Sequence, residues 1–499
     1  MFSMRSRKRT VKGSSDSATL AFDLLANLTY MAAMSVGGAP RDLILEWTIK
    51  QNYKTVVYFR QVYLLAKRTG FEYARAFQMV ASKTPAESVK SLLLRFAGAI
   101  QSGYPEQEFL LEEAKVQREQ YINGYYRSLE TVAKWGDAYA ALTVSVSLVV
   151  VVAMISTMMS DIDILFVMAL GVAMLFVNAF GVFIIYRTSP YEVKTFDNKG
   201  GPKGRRLARK LFYYLIIPGA ILAALIMVTS SLAWGLMLLG LVLFPTGILA
   251  WIDDAKVDKL DQETSMFIRA VGNISASLGT TVSNALTKID QRSMGNLEPY
   301  IQRLQVRLAN NLKPELCWDA FRDEVGAELM NRTTHIFVDG VSLGGDAAKV
   351  GGIAAEFSMD AALMRARRTV SATPFAFLTI PLHFAMTGLM TFILEIMKAF
   401  NAHITIALDE LATQSANSNT VGVLPELPIF QSQDMGPITA LTIIALLSYT
   451  VANALAPKFA KGGHPLLICF FGGITCFMTG FNLWLIPPLA SGILLGAGS

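Results

Sequence analysis

Uncharged apolar runs alternate with charged, amphipathic stretches along this chain, and the alternation predicts its layout. Seven runs reach about the twenty residues a helix needs to cross a bilayer: 138–160, 164–186, 211–229, 232–251, 370–394, 436–457 and 465–489. The third and fourth form one uncharged stretch, split here at the turn Thr229-Ser230-Ser231. The fifth carries Pro374 and Pro381 and is expected to kink. Between the runs the apolar spacing is helical and no strand pattern stands out. Short helices are expected over 42–51, 59–70, 73–82, 87–102 and 106–133, and again over 267–278, 281–290, 297–311, 314–325 and 331–343. Residues 17–36 read as an amphipathic helix lying on the inner membrane surface behind a basic N-terminus.

The fold class predicted is all-α: a polytopic helical membrane protein with about seven transmembrane helices and two repeated cytoplasmic helical-bundle domains. The expected order is a cytoplasmic domain over 1–137, spans one and two over 138–186, and a basic cytoplasmic loop over 187–210. Spans three and four follow over 211–251, then a second cytoplasmic domain over 252–369 and span five over 370–394. An extracytoplasmic loop over 395–435 and the last two spans over 436–499 complete the chain.

Charge sets the orientation. The 187–210 segment holds Arg187, Lys194, Lys199, Lys203, Arg205, Arg206, Arg209 and Lys210, and 458–464 adds Lys458 and Lys461. The opposite side shows Asp161, Asp163, Glu395, Asp409, Glu410, Glu426 and Asp434 against Lys398. Basic loops stay inside, so the N-terminus and both soluble domains are expected in the cytoplasm and the C-terminus outside the cell membrane. The 395–435 loop reads equally as an external contact surface and as a tolerated insertion.

The two soluble stretches resemble each other at one fixed offset. Gly38 matches Gly279, Leu45 matches Leu286, Phe96 matches Phe337 and Gly103 matches Gly344, without a gap. The glycines fall where one helix ends and the next begins, as a helix C-cap requires. A span follows each copy. This is the signature of a duplicated domain.

Composition supports the membrane reading: 53% of residues are apolar and only 16% charged, with mean hydropathy +0.42, against about 25% charged in ordinary soluble domains. The net charge of +6 is what cytoplasmic flanks of spans produce, and no aromatic-basic interleaving suggests nucleic acid. Cys317, Cys469 and Cys476 read as small buried residues rather than a disulfide set or metal site.

Catalytic motifs are missing. No G-x-x-x-x-G-K-[ST] phosphate loop occurs; Gly344-Gly345-Asp346 and Gly200-Gly201-Pro202 are its nearest look-alikes, read as helix packing and linker. His335, His383, His403 and His464 have no metal or nucleophile spacing, and His383, inside a span, reads as a tolerated neutral imidazole. No Asp, Glu, Lys or Arg interrupts the spans, which weakens an ion-coupled transporter. The expectation is a protein without cofactor that is not itself an enzyme.

Two stretches carry a family resemblance. They are Ser-Val-Gly-Gly-Ala-Pro-Arg-Asp-Leu-Ile-Leu at 35–45 and Ser-Leu-Gly-Thr-Thr-Val-Ser-Asn-Ala-Leu at 277–286, with Phe-Ala-Gly-Ala-Ile-Gln-Ser-Gly at 96–103 beside them. Together they resemble the type II secretion F-domain family, the platform proteins of secretion systems, type IV pili and archaella. Seven spans, and the run Lys-Trp-Gly-Asp-Ala-Tyr-Ala-Ala-Leu at 134–142, look like its archaeal branch.

The resemblance implies a platform that couples a hexameric secretion-type ATPase to filament assembly from pilin or archaellin-like subunits, working as a homodimer among membrane lipids. Candidate ATPase contacts are then exposed charges: Arg95, Glu106, Glu108, Glu112, Glu113 and Lys115 in the first copy, and Arg303, Arg307, Asp346 and Lys349 in the second. Arg205, Arg206, Arg209 and Lys210 of the basic loop join them. Gly171, Gly181, Gly235, Gly240, Gly472, Gly473 and Gly480 would allow close approach of subunit helices, or equally serve packing within the chain. A transporter of a neutral solute and a membrane-anchored signalling scaffold are the alternatives.

Overall fold

The computed structural model describes residues 14–159, 164–196, 201–417 and 435–496. The basic stretch 1–12 lies outside them entirely, and the 395–435 segment lies outside in part. Five short helices, α1 (Ser14–Ser35), α2 (Arg41–Thr48), α3 (Val56–Thr69), α4 (Tyr73–Lys83) and α5 (Glu87–Gln101), lead into a long α6 (Glu106–Met159). Then α7 (Ile164–Thr188) and α8 (Lys203–Leu211) follow. The latter passes through a π-helical turn (Phe212–Ile216) into α9 (Ile217–Thr229), and α10 (Leu232–Ser277) runs back out. The second set is α11 (Val282–Lys288), α12 (Glu298–Ala309), α13 (Pro314–Val325) and α14 (Glu328–Ser342), leading into α15 (Ala347–Asn417). Two more helices, α16 (Met435–Lys461) and α17 (Ile468–Gly496), complete the chain. No strand occurs among the described residues, and one isolated antiparallel bridge joins Thr195 to Ala327.

Among the described residues seven helices are long and apolar enough to cross a membrane, which agrees with the seven runs read from the sequence. Their ends do not stop at the expected borders. Three helices, α6, α10 and α15, are 54, 46 and 71 residues long and pass unbroken through the borders drawn at 137, 251 and 369. The 395–435 segment, expected as loop, is helical to Asn417 as the end of α15.

The two sets of short helices keep one register. From Gly38 to Gly279 is 241 positions, and the starts of α2, α4, α5 and α6 recur at that same separation in α11, α13, α14 and α15. All four sequence-matched glycines adopt left-handed backbone (φ 71, 67, 58 and 91°), and Phe96 and Phe337 are both buried. A further match was not legible: Gly70 (φ 69°) corresponds to Asn311 (φ 55°), the one non-glycine with positive φ among the described residues. Asparagine tolerates that conformation where most side chains clash.

The expectation for residues 17–36 is corrected. Helix α1 does not lie on a surface; Leu24, Leu28, Tyr30, Met31 and Met34 are all fully buried at the centre of the extramembranous body. Small and apolar residues surround the helix on every side, and a helix hydrophobic all round seeks a core. Its polar groups find partners inside: Asn27 donates to Thr55 (3.2 Å), and Asp23 accepts from the Lys54 backbone (2.8 Å) and from Arg332 of α14 (2.7 Å). Both helix sets therefore share one continuous apolar core.

In the bundle, α10 and α17 approach most closely. A Cβ at Gly240 would sit 2.6 Å from the Phe477 nitrogen, and one at Gly480 would sit 2.6 Å from the Ala233 carbonyl. Gly171, Gly181 and Gly235 likewise face Leu441, Tyr139 and Met227. These glycines serve packing within the chain. By contrast α9 packs along α10 with only 11% of its apolar stretch buried.

Candidate functional site

The sequence-predicted charges separate into two regions far apart along the long helices. One is a tip formed by the glycine turns. A Cβ at Gly37 would meet the Gly345 nitrogen at 2.7 Å and the Leu343 carbonyl at 2.8 Å, so the first turn of one helix set abuts the last turn of the other. Arg41, opening α2, pairs with Glu106, opening α6 (3.2 Å). Gly272, near the end of α10, lies against Ala347 at the start of α15. At about 1.5 Å per residue, Glu106 stands about 48 Å from the start of the span in α6, and Ala347 about 35 Å from the span in α15.

At this tip Glu108, Glu112, Lys115, Asp346 and Lys349 are exposed. Asp346 also caps its helix, accepting from the Lys349 backbone nitrogen at 2.8 Å. Burial raises the Glu106 carboxyl above its ordinary value, against the pull of Arg41. Other candidates are committed locally. Arg95 holds Glu113 by two bonds (2.6 and 2.8 Å), and Glu113 is buried rather than exposed as expected. Both Arg303 (2.7 Å) and Arg307 bind Glu324, tying α12 to α13.

The second region lies where the body meets the bundle. Arg205, expected as an exposed charge, is buried: it donates to Asp253 (2.9 Å) and to the carbonyls of Phe196 (3.1 Å) and Gly326 (2.9 Å). It pins α8 to α10 and to the end of α13. Its neighbours Arg206, Arg209 and Lys210 are exposed. Glu192 and Lys194 of the expected loop are woven into a layer of buried ion pairs. Arg365 of α15 binds Asp261 of α10 (2.5 Å) and Glu192 (3.2 Å). Lys194 bridges Asp254 (2.9 Å) and Asp258 (2.6 Å), and Asp254 accepts from the His464 backbone (3.1 Å). Arg368 donates to the carbonyls of Ala460 (3.0 Å) and Phe459 (2.9 Å) at the end of α16 and to that of Pro190 just after α7. Burial pushes Asp261 up to about 6, with Arg365 opposing. Buried pairs of this kind add little net stability but cost about 3–5 kcal/mol when one partner is removed.

Between the helix sets opens a cleft of about 1730 Å³ lined by Tyr53, Trp318, Arg332 and Asp339 among others. Arg332 sits over the rings of Phe22 (4.8 Å) and Tyr53 (4.9 Å) while pairing with Asp23 and Glu328 (2.8 Å). Tyr30 of α1 donates to Asp339 of α14 at 2.8 Å. These charges are internal clamps between the two sets.

Sequence reasoning missed a polar network inside the bundle. Asn453 donates to His383 Nδ1 (3.1 Å) and accepts from Tyr139 (2.9 Å). The other ring nitrogen lies 3.1 Å from the Thr475 carbonyl, which only accepts, so Nε2 carries the proton; Thr479 lies 2.9 Å from it. Asn482 donates to Thr387 (2.8 Å). Four helices, α6, α15, α16 and α17, are tied this way. The signal was the i, i+4 series Thr379, His383, Thr387, Thr391 along one face of an apolar run. Among the described residues no group of His, Cys, Asp or Glu side chains could hold a metal ion.

Fold and site together define a helical protein with seven potential membrane spans and a large extramembranous body that shares helices with its bundle. Among known proteins it is similar to two named Flagella accessory protein J. One, from Methanococcus voltae, is 21% identical over 425 residues, covering 81% of this chain and 73% of the relative. The other, from Methanocaldococcus jannaschii, is 21% identical over 422 residues, covering 81% and 72%. No family model matches the chain, and no solved structure matches it.

Proposed function

We propose that this chain is a membrane platform for assembly of an archaellum-type filament, built on a duplicated domain of the type II secretion F kind. The body faces the cytoplasm and its tip meets a hexameric secretion-type ATPase. Motion passes along α6, α10 and α15 into the bundle, where pilin or archaellin-like subunits are lifted into the filament. The working unit is a homodimer.

One observation carries the reading: three helices run without a break from the tip, through the buried ion-pair layer, into the bundle. A lever of this kind suits force transmission and gives a solute carrier no advantage. Similarity to proteins named for the archaeal flagellum points the same way.

The test is genetic and biochemical together. Deletion of the gene should abolish the filament, restored by the wild-type chain, and the full-length chain in detergent should retain the secretion-type ATPase of the same genome. Normal filaments in the deletion strain, or no association from a well-folded preparation, would overturn the reading.

A further inference from the structure

The cations Arg206, Arg209 and Lys210 lie next to Arg205, which is held by Asp253 of α10, and Asp253 stands 19 residues, about 28 Å, from Gly272 at the tip, so they form a surface separate from the tip charges. Their surroundings identify its partner. Helix α8 is turned by its buried side: Arg205 and Ala208 face the body, and the three bonds of Arg205 fix that orientation. The outward face continues unbroken up the helix. Above the cations come Tyr213 and Tyr214, the latter 81% exposed, and then Ile217, Ile221, Leu225 and Val228, the last 87% exposed. This is the face of the least enclosed span, and in a bilayer acyl chains cover it.

The vertical order matches the layers of a membrane. Aliphatic residues occupy the hydrocarbon depth, the two tyrosines fall where an aromatic belt sits, and the cations follow at headgroup depth. Lys210 lies about 6 Å below Tyr214 along the axis, within a headgroup layer about 5–8 Å deep on each side, and Arg206, about 12 Å below, reaches back toward that layer only through its long side chain. A guanidinium reaches a phosphate with two parallel bonds.

We propose that Arg206, Arg209 and Lys210 form a binding face for the anionic phosphate headgroups of membrane lipids. The face is pre-shaped, because Arg205 and the π-helical turn at Phe212–Ile216 hold α8 in line with α9. The face anchors the base of the body to the bilayer surface.

The test is native mass spectrometry of the full-length chain from mixed micelles of phosphatidylglycerol and phosphatidylcholine. The wild-type chain should retain phosphatidylglycerol over phosphatidylcholine by about fivefold or more, given about 1 kcal/mol per basic residue at a charged lipid surface. The variant Arg206→Gln/Arg209→Gln/Lys210→Gln should fall toward parity, with Arg209→Gln alone intermediate and Lys349→Gln at the tip unchanged. Millimolar inorganic phosphate should not displace the bound lipid; displacement would mean a free-anion site and overturn the assignment. Equal preference in wild type and triple variant would overturn it too. So would a triple variant that keeps its lipids but loses ATPase association, which would return these cations to the motor. Equal unfolding midpoints of wild type and variant check that each preparation is folded.

Discussion

Asp23 and Arg332 are 309 positions apart in the chain and 2.7 Å apart in the fold, and pairs like this fix which helices meet and in what register. Arg365 and Asp261 form the equivalent clamp at the membrane junction. Replacing Arg365 by Met should cost about 3–5 kcal/mol, because Asp261 is left buried without its partner; adding Asp261→Leu should recover most of the loss. Unfolding midpoints in detergent would show this, and equal destabilisation by the single and double changes would contradict it. The pH behaviour follows from the same carboxyl. Burial raises Asp261 to about 6, above its unfolded value of about 3.9, so the folded chain takes up the proton first. This group favours folding more at pH 5 than at pH 7, and the gain levels off below about pH 4. The midpoint of wild type relative to Asp261→Asn should therefore rise between pH 7 and pH 5; a fall would contradict the assignment.

The residue scale also tests the duplication. Gly70 and Asn311 occupy corresponding left-handed positions, so Gly70→Asn should be tolerated while Gly70→Val should cost about 1–2 kcal/mol or more. Equal losses for the two would argue against equivalence. None of these pairs could be read from the sequence, because a salt bridge across 309 residues leaves no local pattern. What sequence could show were the glycines that every helix end needs.

At the scale of elements, the seven apolar runs and the short helices were legible because period and length decide them. The borders were not. A helix passes from charged to uncharged composition without a break when no Pro or cap intervenes; α6 holds no Pro, and its Gly124 and Gly136 are carried within the helix without a left-handed turn. Helix α1 was misplaced for a related reason: its composition fits an interface and a core alike, and only the partners of Asp23 decide. The continuous helices carry a prediction of their own. Lys134 is exposed on α6 between tip and span, and Lys134→Pro should kink the helix at a cost of about 3 kcal/mol. The variant should still bind the proposed ATPase at the tip yet assemble no filament. Normal filament assembly would show that α6 need not act as a rigid link.

The whole molecule has a tip of exposed charges of both signs, a clamped core shared by two helix sets, and a layer of buried ion pairs at the base. A bundle tied by its own polar network completes it. The candidate charges could be picked out in the sequence, but which lie at the tip, which are buried and which flank the membrane depended on the fold. Arg205 and Glu113 read as surface charges and proved to be internal clamps.

The central claim is that the tip, and not the membrane-side cations, engages a motor. The most direct measurement is ATPase stimulation by the full-length chain in detergent, at low and moderate salt. Wild-type chain should stimulate hydrolysis in a salt-sensitive way. The tip variant Glu108→Lys/Glu112→Lys/Lys349→Glu should lose most of that stimulation, while Arg206→Gln/Arg209→Gln/Lys210→Gln keeps it. Full stimulation by the tip variant, from a preparation with an unchanged unfolding midpoint, would contradict the account.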